Sequence, residues 1–229
     1  VDSLWTSANE AYAQGLWADA ADGYEMITDM GLESAPLYCN IGNAYYKDGN
    51  IPKAILNYER ALKLDPSYED AAVNLELMNS MIQDRIDPVP PFFLTKWFKD
   101  ISYLMPSNAW AVIAVVLFAL TLGLFLLFLL APTVAGRRTG FFTGIATPVL
   151  MAFAFSFSVS QKKEYMNADK AIVMRPVTSV KSSPSSESVK DLFVLHEGTK
   201  VRVLDTVGSW NNIELADGRQ GWLPASDLE

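Results

Sequence analysis

Hydrophobic positions along the chain change their spacing several times. Up to about residue 85, apolar side chains recur every three or four residues, the spacing of amphipathic helices. After a stiff Pro-rich stretch at Asp87 to Pro91, a second helical stripe appears: Phe93, Trp97, Ile101, Leu104 and Met105, with Lys96, Lys99 and Asp100 opposite. Residues 109–131 (AWAVIAVVLFALTLGLFLLFLLA) and 141–159 (FFTGIATPVLMAFAFSFSV) then carry no charge at all. From 171 onward the pattern shortens to alternating segments, with Val201 and Val203, then Trp210, Ile213 and Leu215, and the hairpin signal Asp217-Gly218.

The first uncharged run exceeds the roughly 20 residues that a spanning helix needs, and the second is about long enough although Thr, Ser and Pro148 weaken it. A core helix of a soluble domain would show a polar face. These runs therefore predict transmembrane helices at 109–131 and 141–160, joined by a short loop at 132–140 that holds Arg137 and Arg138. The stripe within 86–108 predicts an in-plane interfacial helix, with one more packing helix as the alternative. Pro106-Ser107-Asn108 is expected to break it and cap the first span.

Within residues 1–85, "GNAYYKDGNIPKAILNYERALKLDP" sets Tyr38, Ile41, Gly42, Tyr45, Ala54, Tyr58, Ala61 and Pro66 at the offsets of a tetratricopeptide repeat (TPR). Small Gly42 and Ala54 let two antiparallel helices touch, aromatics fill the space between them, and Pro66 stops the second helix. The same register 34 residues earlier places Gly15, Ala20 and Tyr24, with Ala8 in place of Gly42 and Leu32 in place of Pro66. One register later, 69–84 supplies a capping helix with Ala72, Leu75, Met78 and Ile82 on one face. Two helix pairs and a cap fall short of the roughly three repeats that stand alone. The array is expected to lean on the membrane surface, the second domain or a partner chain.

The first helix of each pair would present Trp5, Asn9, Tyr12, Cys39, Asn40, Asn43 and Tyr46 on a concave protein-binding face. TPR domains that grip a peptide C-terminus use two asparagines and three basic residues. Here only Asn9 and Asn40 fit that pattern, while Trp5, Asp70 and Asn74 occupy the basic positions. An acidic wall would repel a carboxylate. Asn40 and Asn43 read equally well as residues bonded to the helical backbone, and Cys39 as a packed thiol.

Residues 165–229 predict a small all-β, SH3-like barrel. The order small-Trp, strand, Asp-Gly-Arg, Gly-Trp and Pro-Ala in "GSWNNIELADGRQGWLPA" resembles bacterial SH3 (SH3b) domains. The run "VKSSPSSES" departs from that family's usual Arg-Ser-Gly-Pro stretch. Trp210 and Trp222 read first as residues that close the barrel and alternatively as a ligand shelf. His196 reads as a turn residue before a strand.

Composition sharpens this picture. Half of all residues are hydrophobic, yet the formal net charge is −8. Residues 1–100 carry 16 acidic and seven basic side chains, so the acid excess lies in the repeat domain and argues against nucleic-acid binding through it. One cysteine and one histidine leave no intrachain disulfide and no Cys- or His-based metal site, and no cofactor is expected. No nucleophile–base set or phosphate loop stands out, so no enzyme is expected. Arg137 and Arg138 favour a cytoplasmic turn, but Lys96, Lys99, Lys162 and Lys163 flank the same spans, and the charge count leaves orientation open.

The order of TPR, aromatic linker, two-span hairpin and terminal SH3b domain resembles the BatE family of the Bacteroides aerotolerance (Bat) operon. That resemblance implies a bacterial inner-membrane protein whose N-terminal signal is removed, with both domains in the periplasm and the arginine turn in the cytoplasm. It also implies partners: membrane-anchored von Willebrand factor A-domain Bat proteins, a MoxR-type ATPase and a further Bat component, with a role in oxidative-stress tolerance or envelope assembly. The expected function is a non-catalytic scaffold. A reader of peptidoglycan peptides through the SH3b domain is the alternative.

Overall fold

A computed structural model describes residues 1–90, 92–166, 169–185 and 190–229. The Ser-rich stretch expected to replace the Arg-Ser-Gly-Pro run lies partly outside them, at 186–189. The chain divides into two compact units, Val1–Val89 with Asp169–Glu229, and Pro90–Ala168.

In the first unit the repeat pattern becomes five helices: α1 (Asp2–Ala13), α2 (Trp17–Asp29), α3 (Ala35–Asp48), α4 (Ile51–Leu64) and α5 (Glu69–Met81). Local chemistry sets their ends. Ser34 and Asn50 accept from the backbone N–H groups of Leu37 and Lys53 at 3.3 and 3.2 Å, each followed within two residues by proline. Gly49 closes α3 at φ 85°, in the left-handed region.

Between α3 and α4 the small-against-large expectation holds closely. A Cβ added at Gly42 would stand 2.7 Å from the Tyr58 ring, so only glycine admits that ring. In the first pair the fit is reversed: Ala8 supplies the methyl and Gly23 the vacancy, with 3.0 Å between Ala8 Cβ and a Cβ built on Gly23. The Ala8 departure from the signature is thus compensated across the helix pair. Leu37, Ile41 and Ala44 of α3 are buried, whereas their equivalents in α1, Ser3, Ser7 and Glu10, are exposed and polar. That end of the stack meets water.

Six strands follow: β1 (Lys170–Ile172), β2 (Val177–Lys181), β3 (Asp191–His196), β4 (Lys200–Val207), β5 (Trp210–Glu214) and β6 (Gln220–Pro224). They form one antiparallel sheet in the order β1-β4-β5-β6-β2-β3. An SH3-like domain fits this topology, but the sheet is open where the sequence suggested a barrel. The chain end occupies the outer edge of β1 instead: Ile172 and Glu229 exchange both backbone hydrogen bonds, at 2.7 and 3.0 Å. Asp227, 4% exposed, fixes that terminus by accepting from Thr178 Oγ1 at 2.6 Å. Asp217-Gly218 makes the expected turn between β5 and β6, with Gly218 at φ 86°.

The second domain is what the short array leans on. Ile172 belongs to the buried core of the repeat, and Ile86, just beyond α5, packs into the core of the sheet. Repeat and sheet form one unit although the hairpin sequence separates them. Two pieces of chain that share a core must lie on the same side of any membrane that the intervening helices cross.

The second unit holds α6 (Phe93–Ser102), α7 (Ser107–Leu130) and α8 (Val134–Met166). Helices α7 and α8 are both long and apolar enough to cross a membrane. At 1.5 Å per residue the 33 residues of α8 reach about 50 Å, well past a hydrocarbon core of about 30 Å. The expected loop at 132–140 shrinks accordingly. With no proline between Pro132 and Pro148, the helix starts at Val134 and takes in Arg137 and Arg138, and Arg137 Nε donates to the carbonyl of Ala131, the last residue before the turn, at 3.0 Å. Ser107 does not cap α7. Its Oγ donates to the carbonyl of Ser158 at 3.0 Å, joining the two helices.

Candidate functional site

The expected binding face falls on α1, α3 and α5, where the 34-residue register puts residues at equivalent positions: Trp5, Cys39 and Val73, then Asn9, Asn43 and Leu77. Several residues expected to receive a ligand are occupied by the fold. Asn9 Oδ1 accepts from Tyr24 Oη at 2.5 Å, and Asn43 Oδ1 accepts from Tyr58 Oη at 2.8 Å and from Asn74 Nδ2 at 2.9 Å. These bonds repeat 34 residues apart because a buried tyrosine hydroxyl needs an acceptor wherever the aromatic filler recurs. Trp5 lies edge-on to Tyr24 at 5.5 Å and Tyr12 edge-on to Trp17 at 4.9 Å, so both rings are half spent on packing. Tyr46 is half-buried and packs against the same core.

Cys39 is 3% exposed. Burial, reinforced by the negative charge of Asp70, pushes its thiol up to about 11 against a weaker opposing bond from Asn43. A thiol held protonated this firmly is packing, not a nucleophile.

What remains free lies one repeat further on. A pocket of about 270 Å³ opens between α3 and α5, lined by Asn40, Asp70, Val73 and Tyr68 among others. Asn40 makes no side-chain hydrogen bond among the described residues. Val73 and Leu77 are 58% and 46% exposed, apolar side chains facing water on a helix that buries Ala71, Leu75 and Met78. The sequence reading overlooked Val73 and Leu77, although adding 34 to Cys39 and Asn43 reaches both.

On the sheet, Trp210 and Trp222 do not close the core. Ile213, Leu223, Val180 and Leu195 do that. In the register Trp210 pairs with Pro224, and Asn212 with Trp222, which Lys181 flanks from β2. Since side chains alternate faces along a strand, both tryptophans fall on the face opposite Ile213 and Leu223, half exposed. The first reading, that they close the core, therefore does not hold.

His196 is no simple turn residue. It ends β3 and meets Asp84, which follows α5: the Asp84 carboxylate accepts from the His196 backbone N–H at 2.7 Å, from His196 Nδ1 at 2.8 Å and from Thr199 Oγ1 at 2.7 Å. Burial alone would raise Asp84, but these three donors outweigh it and hold the carboxyl below its ordinary value. Beside them Gly198, at φ 84°, lies so close to Ile82 and Ile55 that a Cβ there would stand 2.7 Å from Ile82. Lys200 pairs with Glu59 at 2.5 Å. The histidine–aspartate pair ties the repeat to the sheet, and the hydrogen bond from Thr199 to the same carboxylate reinforces it.

With this geometry in place, the comparison with protein families is specific for one part of the chain. Residues 35–68 match the tetratricopeptide repeat family. They are α3 and α4 with the turn after them, so the matched segment contains Gly42, Tyr58 and the row of Cys39, Asn40 and Asn43. Among curated proteins the chain has no match. The TPR is a non-enzymatic protein-interaction module, and its presence points to a protein–protein interaction role for the repeat domain.

Proposed function

We propose that this chain is a non-catalytic, membrane-anchored scaffold that docks a partner protein on the concave face of its repeat. The observation that carries the reading is the unspent surface of Asn40, Asp70, Val73 and Leu77 beside a pocket, on the face that TPR domains use. The arrangement of repeat, hairpin and SH3-like sheet resembles that of the BatE family. It supports a place in a Bat-type envelope complex with von Willebrand A-domain partners and a MoxR-type ATPase, linked to oxidative-stress tolerance. On this reading the repeat and the sheet lie together in the periplasm of a bacterial inner membrane, and Arg137 and Arg138 face the cytoplasm.

Crosslinking in native membranes followed by co-purification tests it. Trp5 and Asn9 are poor targets, since both brace Tyr24. Val73→Ser with Leu77→Ser alters only exposed side chains, and is expected to lose the partner while the chain stays folded. A full complex retained by that variant moves the docking surface elsewhere.

The outward tryptophans favour a second reading, a domain that binds peptidoglycan peptides through Trp210 and Trp222. Sedimentation with purified murein separates the two: the scaffold reading predicts no binding, and the second predicts binding abolished by Trp222→Ala.

A further inference from the structure

Helix α6 is fastened to the end of the hairpin at a definite level. Trp110 Nε1 donates to the Ser102 carbonyl at 2.8 Å, and Gln161 Nε2 donates to the same carbonyl and, at 2.9 Å, to that of Met105. Phe98 stacks on Phe157 at 4.7 Å, and Lys99 pairs with Glu164 at 3.4 Å. The Ser107–Ser158 contact puts the start of α7 level with Ser158, so Gln161 and Glu164 lie one to two turns beyond the apolar section. Helix α6 therefore sits where a bilayer's hydrocarbon gives way to headgroups.

Its surface is wider than its docking. At 100° per residue, Phe98, Leu94, Ile101, Trp97 and Phe93 share an apolar arc of about 140°. Only the Phe98 and Ser102 side of it is covered: Phe93, Leu94 and Trp97 are 67%, 52% and 57% exposed. Charge is segregated as well. Residues 90–168 carry six basic and two acidic side chains in a chain whose net charge is −8. Three of those cations, Lys96, Lys162 and Lys163, are exposed around this helix and have no ion pair among the described residues.

We infer that α6 is a lipid-binding collar, seating anionic phospholipid headgroups on Lys96, Lys162 and Lys163 while Phe93, Leu94 and Trp97 enter the acyl boundary. The arc is as exposed as the apolar faces of α7 and α8, and the cations complement phosphate. This rests on α7 and α8 crossing a membrane. It adds an anchor independent of any protein partner.

The test uses the full chain with Cys39→Ser, reconstituted into vesicles of phosphatidylcholine with phosphatidylglycerol and spin-labelled at Trp97→Cys or Asp100→Cys. The label at 97 should meet lipid-soluble oxygen and escape an aqueous nickel chelate, and the label at 100 should do the reverse. A chain that floats with the vesicles while its label at 97 contacts the chelate overturns this inference alone. So does a label at 97 shielded from both reagents, which reports a protein contact. A chain that stays in the aqueous phase overturns the spans as well. In the second arm, Lys96→Gln, Lys162→Gln and Lys163→Gln together should cut phosphatidylglycerol retained after detergent extraction by on the order of fivefold for each lysine removed, leaving phosphatidylcholine retention alone. Equal retention of phosphatidylglycerol overturns the headgroup assignment, whatever the labels report.

Discussion

Two helix pairs in this chain each turn on a glycine, and they are built inside out relative to one another. Between α3 and α4, Gly42 receives the ring of Tyr58, and large apolar residues such as Leu37, Ile41 and Ile55 are 3% exposed or less. Between α7 and α8, Gly140 lies against bare backbone: a Cβ there would stand 2.7 Å from the Phe128 nitrogen and 2.9 Å from the Leu124 carbonyl oxygen. The large residues of that pair face outward, with Val115 and Phe142 each 68% exposed, and hydroxyls bridge the seam, Thr121 to Thr147 at 2.9 Å. In water, burial of apolar surface draws helices together. In lipid that force is absent, and close backbone contact with interhelical hydrogen bonds replaces it. The contrast is the one expected between a pair packed in water and a pair packed in lipid.

The largest effect that would sharpen this contrast comes from truncating matched aliphatic residues. Ile55→Ala removes a side chain 1% exposed that serves both the repeat core and the contact with Gly198, and should cost about 2–5 kcal/mol in unfolding of the soluble unit. Val115→Ala on α7 should leave the hairpin's stability in detergent within about 0.5 kcal/mol. Comparable losses would mean that both pairs fold by the same burial. Next comes Gly140→Ala, expected to cost about 1–3 kcal/mol because backbone cannot yield as a side chain can. With Cys39→Ser, oxidative crosslinking of Thr121→Cys to Thr147→Cys reads it out. An unchanged crosslinked fraction would show that the close approach at Gly140 is dispensable.

The parts that the sequence disclosed are those where function of a residue and its local spacing coincide. Tyr58 and Ala54 recur as Tyr24 and Ala20 because each packs against a neighbour in the same repeat, and an uncharged run marks a candidate membrane span by composition alone. Long-range pairings leave no such trace. Asp84 meets His196 across 112 positions, and nothing near either residue marks the other. Trp210 and Trp222 have the size of core residues, and only the strand register turns them outward. Asn9 fits the pattern of peptide-gripping TPR domains and Asn43 falls on the same expected binding face, yet their acceptor oxygens answer tyrosines on the next helix.

The joint that the sequence concealed gives the next effect in size. Asp84→Asn should destabilise the soluble unit by about 2 kcal/mol near neutral pH, since a charged acceptor with three donors is lost. The pH dependence has a definite sign. The carboxyl is held below its ordinary value of 3.8, so its stabilisation is complete above that value and disappears as pH falls through the lower folded-state value. Wild type should therefore lose stability more steeply than Asp84→Asn on the acid side of about pH 4, and the two should converge there. Parallel curves would place the acid response on other carboxylates.

The smallest expected effect is also the closest test of how far the two repeats are equivalent. Tyr24→Phe and Tyr58→Phe each delete one hydroxyl bonded to the asparagine at the same register, and each should cost about 1 kcal/mol. They should not be equal. Tyr58 is fully buried at 0% exposure, and burial holds its hydroxyl proton tightly, raising its pKa. Its acceptor Asn43 also receives Asn74, which connects α5 to α3, so losing the hydroxyl disturbs a three-residue network that spans the interface to α5. Tyr24 bonds only to Asn9 among the described residues, at the polar end of the stack where water can take over the vacated acceptor. Chemical unfolding of the two variants should rank Tyr58→Phe as the more destabilised, by a few tenths of a kcal/mol or more. The reverse order would mean that the first repeat, not the second, is the keystone of the array.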